Sequence, residues 1–148
     1  MPNTGIPLTT ASAHRKNHND DLVCFSHLRW NFVFQRPQHL MTRFARERRV
    51  FFFEEPFFDS SKPTLELTET QGVVVAVPHL PERLDRLAIR LSVRQLLSDL
   101  LCSNHVGRAI FWYYTPMALE FSRELPNAGI VFDVWTSSRR SRARPPRC

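Results

Sequence analysis

The stretch that decides the fold runs from residue 22 to residue 53 and reads LVCFSHLRWNFVFQRPQHLMTRFARERRVFFF. Its two ends, Leu22–Ser26 and Val50–Phe53, are short and almost wholly apolar, which is typical of strands buried on both faces. Between them, apolar residues recur at helical spacing over 37–47, and the segment begins with a proline, which the first helical turn tolerates. The pattern predicts a strand, a helix and a second strand of one parallel sheet.

The same alternation continues along the chain. Further elements are predicted as an edge strand at 65–67, a strand at 73–77, a helix at 84–102, a strand at 109–114, a helix at 116–125 and a strand at 130–134. Continuously apolar strands that alternate with helices indicate a sheet covered on both faces. The predicted fold class is therefore α/β, a doubly wound parallel sheet of Rossmann-like type.

The length of 148 residues allows one domain with a sizeable core but not two. We predict a disordered polar leader over 1–20, a Rossmann-like domain over 21–135 and a disordered arginine-rich tail over 136–148. The leader has no apolar segment of the kind that signal peptides carry, so a cytoplasmic location is expected. No apolar run reaches the roughly 18–20 residues of a membrane span.

The basic character of the chain belongs to its tail. The formal net charge is +6, and five arginines without any acid lie within 136–148. Residues 1–20 add one more positive charge, which leaves the middle of the chain without net charge. A basic face on the folded domain is thus not indicated, and no nucleic-acid partner is predicted.

The three cysteines are Cys24, Cys102 and Cys148. Their number is odd and no pair has the spacing of metal ligands, so no metal site is predicted. Buried free thiols in a reducing compartment are the expectation for Cys24 and Cys102.

Polar and aromatic side chains gather where the predicted strands end. Because ligands of open α/β sheets bind at the carboxyl ends of the strands, these residues are the candidates for a site. They are His27, Arg29, Trp30, Glu54, Glu55, His79, Tyr113, Tyr114, Thr115 and Asp133, joined by Arg36 at a helix start. Arginines suit phosphates or carboxylates, and aromatic rings suit the apolar faces of sugars.

Each candidate also has an ordinary structural explanation. The histidines can be loop residues that bond to backbone, Tyr113 can be strand core, and the two glutamates can be solvated caps. Arg36 is an awkward cation at a helix N-terminus, which favours an anion held beside it. The chain lacks the G-x-G-x-x-G, Walker and G-x-S-x-G signatures, which argues against nicotinamide or flavin binding, nucleotide hydrolysis and serine hydrolysis.

Four segments of the chain resemble one family of bacterial glycosyltransferases. Residues 25–40, FSHLRWNFVFQRPQHL, resemble its opening SHLRWDFVYQRPQHL, and residues 50–59, VFFFEEPFFD, resemble its VFFVEEPxFD. Residues 77–81, VPHLP, and 112–119, WYYTPMAL, resemble its TPHLP and WYYTPMAL segments. The likeness covers about 22–134, and the chain departs from the family at Asn31 and Phe34, where the family has aspartate and tyrosine.

The resemblance implies the GT-B fold, in which two Rossmann-like domains face a cleft. The N-terminal domain of such enzymes usually holds the acceptor and the C-terminal domain the nucleotide-sugar donor, generally without a metal or other cofactor. It also implies a nucleotide sugar as co-substrate, a glycan or lipid-linked acceptor of a cell-envelope polysaccharide, and peripheral membrane contact. Some family members are fused to UDP-galactopyranose mutase, so a domain of such a fusion is one alternative.

The resemblance ends after Asp133, where the family continues YDCMDELSAF and then glycine, alanine and two prolines. A GC-rich coding of MDELSAFAGAPPAL, read one base out of register, gives W-T-S-S-R-R-S-R-A-R-P-P-R and the start of a cysteine codon. This reproduces residues 135–148. The tail is therefore interpreted as out of frame, and the chain as a truncated half of the enzyme; an evolved basic tail for an anionic partner is the alternative.

The resemblance also suggests roles for the candidates. Asp133 or His79 is the expected base that takes the proton of the acceptor hydroxyl. Arg29 and Arg36 are expected to meet anionic groups, and Trp30, Tyr113 and Tyr114 to pack on sugar rings. The remaining substrate-binding candidates are His27, Glu54, Glu55 and Thr115. The chain alone is expected to be inactive, and a non-catalytic sugar-binding module is the rival interpretation.

Overall fold

The computed structural model describes residues 20–33 and 35–133. The predicted leader, except Asp20, and the predicted tail lie outside the described residues, as do Val134 and Cys148. The out-of-frame origin and the disorder inferred for the tail stay predictions.

Six strands form one sheet in the order β3-β4-β2-β1-β5-β6. The strands are β1 (Asp21–Ser26), β2 (Val50–Glu54), β3 (Thr64–Thr70), β4 (Val73–His79), β5 (Ala109–Tyr113) and β6 (Gly129–Phe132). β1 lies at the centre between β2 and β5, and every pairing except that of β3 is parallel. The predicted Rossmann-like α/β fold is confirmed.

The edge strand β3 is longer than predicted and runs antiparallel to β4, so the sheet is mixed. The two strands are joined at Gln71 (φ 54°) and Gly72 (φ 79°), both in the left-handed region. Two such central residues are characteristic of the tight hairpin turns whose twist matches that of paired strands. The sequence TLELTET of β3 is polar and mostly exposed on both faces, and therefore lacks the apolar pattern that reveals the other strands.

Three helices flank the sheet: α1 (Arg36–Phe44), α2 (Arg86–Ser103) and the short α3 (Leu119–Ser122), which follows a 3-10 turn at Pro116–Ala118. The side chain of Asp85 accepts the backbone N–H of Ala88 and so begins α2 two residues later than predicted. The predicted helix over 116–125 is shorter because its first turn is 3-10 and its last helical residue is Ser122.

Each central strand contributes to two apolar layers. Successive strand residues point to opposite faces, so Phe52 packs on the α1 side while Phe51 and Phe53 pack on the α2 side. All three phenylalanines are buried, which explains why the run is continuously apolar rather than alternating. Cys24 is a buried free thiol, as predicted. The prediction that Cys102 is buried is wrong, since it lies exposed near the end of α2.

Candidate site at the carboxyl edge of the sheet

The parallel strands end at one edge of the sheet, and the structure brings all the candidate residues to that edge. They do not form a single cluster, however. His79 ends β4, whereas Asp133 follows β6, and these strands are four positions apart in the sheet. At about 4.8 Å for each interval, the two residues are separated by roughly 19 Å. The edge therefore holds three separate groups of side chains, one around Glu54, one around His79 and one around Asp133.

Glu54 anchors the loop that follows β1. Its carboxylate accepts the backbone N–H of Trp30 through Oε1 (2.7 Å) and the guanidinium of Arg29 through Oε2 (3.1 Å). The side chain is 5% exposed, so the alternative of a solvated cap is wrong for Glu54. The neighbouring Glu55 is exposed.

Arg29 is occupied within the chain. Besides its ion pair with Glu54, its guanidinium donates to the backbone oxygen of Glu55 and lies 3.8 Å from the centre of the Phe57 ring. Stacking on an aromatic ring and pairing with a buried carboxylate both hold the charge in place. Arg29 is thus a structural residue here, and the arrangement does not favour a ligand anion as its partner.

Gln38 is a residue that the sequence analysis missed. Its buried side chain donates to the carbonyls of Val33 (2.9 Å) and Trp30 (3.3 Å) and accepts the N–H of Gln35 (3.0 Å). The amide thereby ties the loop after β1 to the first turn of α1. A glutamine three residues after the N-cap, here Gln35, is half of a capping box, which was the available signal.

Three predicted substrate-binding residues face inward instead. Tyr113 is fully buried, and its hydroxyl lies 2.7 Å from the Oγ of Ser122. The ring of Trp30 is buried and forms a T-shaped pair with the ring of Phe52. Thr115 is also buried, and its hydroxyl accepts a backbone N–H two residues ahead. Neither ring offers a face to a sugar, so Trp30 and Tyr113 are core residues and the predicted stacking role is corrected for both.

His79 lies between two carboxylates. Its Nδ1 is 2.7 Å from Asp59 and its Nε2 is 3.0 Å from Glu66. The hydrogen bond that His79 donates to Asp59, together with the one to Glu66, raises the pKa of His79 although partial burial opposes the shift. With both ring nitrogens donating, the imidazolium has no lone pair to take a substrate proton. The geometry therefore does not favour His79 as the base, and the histidine instead connects β4 to β3 and to the segment after β2.

The raised pKa of His79 predicts a pH-dependent stability. Its contribution is complete below the unfolded-state pKa of about 6.5 and is lost as pH rises through the higher folded-state value. We expect the difference in unfolding free energy between the wild type and His79→Gln to shrink from pH 6 to pH 9 in denaturant titrations. His27→Gln, which alters an exposed histidine at the same edge, is the control and should differ little from the wild type. A pH-independent difference for His79→Gln would contradict the prediction.

The third group surrounds Asp133, directly after β6. Its carboxylate Oδ2 lies 3.6 Å from the guanidinium of Arg36, the first residue of α1. The anion expected beside this helix start is thus supplied by the chain itself. The Nε1 of Trp112, the hydroxyl of Tyr114 and the Oδ2 of Asp133 are buried and make no hydrogen bond of normal geometry, although the Tyr114 side chain lies near the other two. Buried polar atoms are rarely left unbonded, so this corner has unused hydrogen-bonding capacity.

Tyr114 is also buried, so its predicted stacking on a sugar ring is corrected as well, but its side chain remains a hydroxyl donor in this corner. Burial raises its pKa, and the nearby negative charges of Cys24, when ionised, and Asp133 raise it further. Burial likewise raises the pKa of the Cys24 thiol, with a smaller effect of Asp133. At neutral pH the corner therefore offers a phenol hydroxyl and an indole N–H next to the Asp133 side chain.

A cleft of about 220 Å³ opens at the same edge on the α2 side, between the ends of β1, β2 and β5. A groove of about 550 Å³ adjoins it between α2 and α3. Within 20–33 and 35–133, no group of three histidine, cysteine or carboxylate side chains could hold a metal ion. None of the helices in these same ranges is long and apolar enough to cross a bilayer.

By its fold, the chain is a Rossmann-like α/β domain, and the candidate polar side chains lie at the edge where the parallel strands end. None of the protein-family models matches it, and no curated protein does. One solved structure is similar, described as trehalose-6-phosphate from E. coli bound with UDP-2-fluoro glucose, at 16% identity and a TM-score of 0.49. The match covers 76% of this chain and 32% of that chain, so the chain spans about a third of its length.

Proposed function

We propose that the chain is the acceptor-side domain of a GT-B-type glycosyltransferase. The observation that carries this proposal is the meeting of four distant segments at one edge. Residues 25–40, 50–59, 77–81 and 112–119, which resemble the glycosyltransferase family, all contain or directly follow the carboxyl end of a parallel strand. In open α/β sheets that edge is where ligands bind.

Asp133 is the proposed base. Its side chain is 20% exposed although Oδ2 itself is buried, and the nearby hydroxyl of Tyr114 can orient an acceptor toward the carboxylate. In the proposed reaction, the Asp133 carboxylate takes the proton of the acceptor hydroxyl while the acceptor oxygen bonds to the anomeric carbon of the donor sugar. The bond from that carbon to the donor phosphate breaks, and the diphosphate leaves with the bonding electrons. Arg36 holds the Asp133 side chain in place through their 3.6 Å contact.

The donor's diphosphate needs stabilising groups of its own, because negative charge develops on it as it leaves. Arg29, the other candidate for such a role, is already paired with Glu54. We therefore assign donor binding to a second domain, as the family resemblance implies. The proposal thus predicts that the 148-residue chain does not transfer sugar from any nucleotide sugar.

The test compares the 148-residue chain with the product of the gene after one base is restored before the codon of Trp135. Both are incubated with labelled nucleotide sugars and cell-envelope acceptors, and transfer of label is measured. We expect no transfer by the chain and transfer by the restored protein. Sugar transfer by the 148-residue chain alone would contradict the proposal that this chain supplies only the acceptor side of the site. Glycan binding by the restored protein without turnover would favour a non-catalytic sugar-binding module.

A further inference from the structure

The cleft on the α2 side has an apolar wall. Its volume of about 220 Å³ corresponds to roughly seven water molecules at about 30 Å³ each. The apolar residues that line it include Phe25, Phe53, Phe58, Phe121, Ile89 and Met117. Of these, Phe58 and Met117 are 42% and 58% exposed, so the apolar surface continues to the mouth of the cleft.

Most polar side chains of the same wall are already bonded within the chain. Ser26 accepts the N–H of Leu28, and Glu54 holds the loop after β1 through both of its oxygens. Thr115 accepts a backbone N–H, and Glu120 is paired with Arg86. Glu55 and Arg90 are the exceptions, and both are exposed. A ligand in the cleft therefore meets mainly carbon, and a highly hydroxylated ring would lose hydration without gaining equivalent bonds.

One end of the cleft is basic. Arg86 and Arg90, one helical turn apart on α2, line both the cleft and the adjoining groove. Arg86 is paired with Glu120, whereas Arg90 has no ion pair within the described part of the chain. Leu87 and Leu91, each about half exposed, follow on the same helix. An anionic group at the mouth of the cleft would find Arg90 as its partner.

We infer that this cleft binds a lipid phosphate, with the alkyl chain against the phenylalanines and the phosphate at Arg90. Apolar walls and one free guanidinium match the two parts of such a molecule. This inference goes beyond the proposed function, because the cleft lies on the α2 side whereas Tyr114 beside Asp133 packs on the α1 side, and it is tested by binding alone.

The test is calorimetric titration of the full chain with octyl phosphate below its micelle concentration. Inorganic phosphate and octanol are titrated separately, as the anionic and the apolar half of the ligand. We expect octyl phosphate to bind at least tenfold more tightly than either half. Arg90→Gln and Met117→Gln, both at exposed positions, should each weaken octyl phosphate binding several-fold without lowering the unfolding midpoint.

Arg43→Gln is the matched control, because Arg43 is an exposed arginine on α1, on the opposite face of the sheet. All variants keep the arginines of residues 139–147, so any binding by that segment is common to them. The inference is overturned if inorganic phosphate or octanol binds as tightly as octyl phosphate does. It is also overturned if Arg90→Gln and Arg43→Gln lose the same amount of affinity for octyl phosphate. The absence of octyl phosphate binding would overturn it as well. If the restored protein transfers sugar while octyl phosphate does not bind, the inference fails and the proposed function stands.

Discussion

Replacing Glu54 by glutamine is expected to lower the free energy of unfolding by about 2–4 kcal/mol. The carboxylate is buried and bonds to two donors, the N–H of Trp30 and the guanidinium of Arg29. Glutamine offers one carbonyl oxygen in place of two carboxylate oxygens, so its NH2 group would face one of the two donors. The guanidinium of Arg29 would also lose its anionic partner. Breaking such a bonded and partly buried charge pair typically costs this amount.

The neighbouring substitution Glu55→Gln is the matched control, since it makes the same change at an exposed side chain. Surface changes of this kind are usually within about 0.5 kcal/mol. Both variants are compared with the wild type by denaturant unfolding followed through tryptophan fluorescence, which reports on Trp30 beside Glu54. Equal stabilities of the two variants would show that Glu54 does not anchor the loop.

Replacing Asp133 by asparagine in the restored protein is expected to lower the rate of sugar transfer about 100- to 10,000-fold, the usual contribution of a general base. Asparagine keeps the size and one oxygen but cannot accept a proton. His79→Gln is the control, because His79 was the rival candidate and both its ring nitrogens are engaged by carboxylates. Its rate of transfer should stay within a few-fold of the unmodified restored protein. A large loss in His79→Gln with little loss in Asp133→Asn would reverse the two assignments.

The parts of the fold that were predictable are those with a local signal. Val50–Phe53 is apolar at every position because both faces of β2 are covered by helices, and only a sheet with two covered faces requires such a run. The carboxyl ends of parallel strands lie at the same edge of a sheet. The placement of Glu54, His79 and Asp133 at that edge could therefore be predicted from the sequence.

The parts that were not predictable depend on partners far away in the sequence. Glu54 bonds to a backbone group 24 residues earlier, and His79 to carboxylates 20 and 13 residues earlier. Nothing in the residues around either position specifies these contacts, so both side chains were expected to face a ligand. The full length of β3 was not predicted for a similar reason. Its side chains are mostly exposed and show no apolar pattern, so the strand is recognised only from its pairing with β4.

The two outer strands of the sheet make unequal edges. β3 carries the exposed Glu66 and Glu69, and like charges oppose the pairing of one β3 with another. β6, which within the described residues has β5 as its single neighbour, instead exposes Ile130 and Phe132. If two copies joined β6 to β6, a twofold axis would relate them, and both free ends of the enlarged sheet would be β3 edges. Growth by this route would stop at a closed pair rather than continue into a fibre.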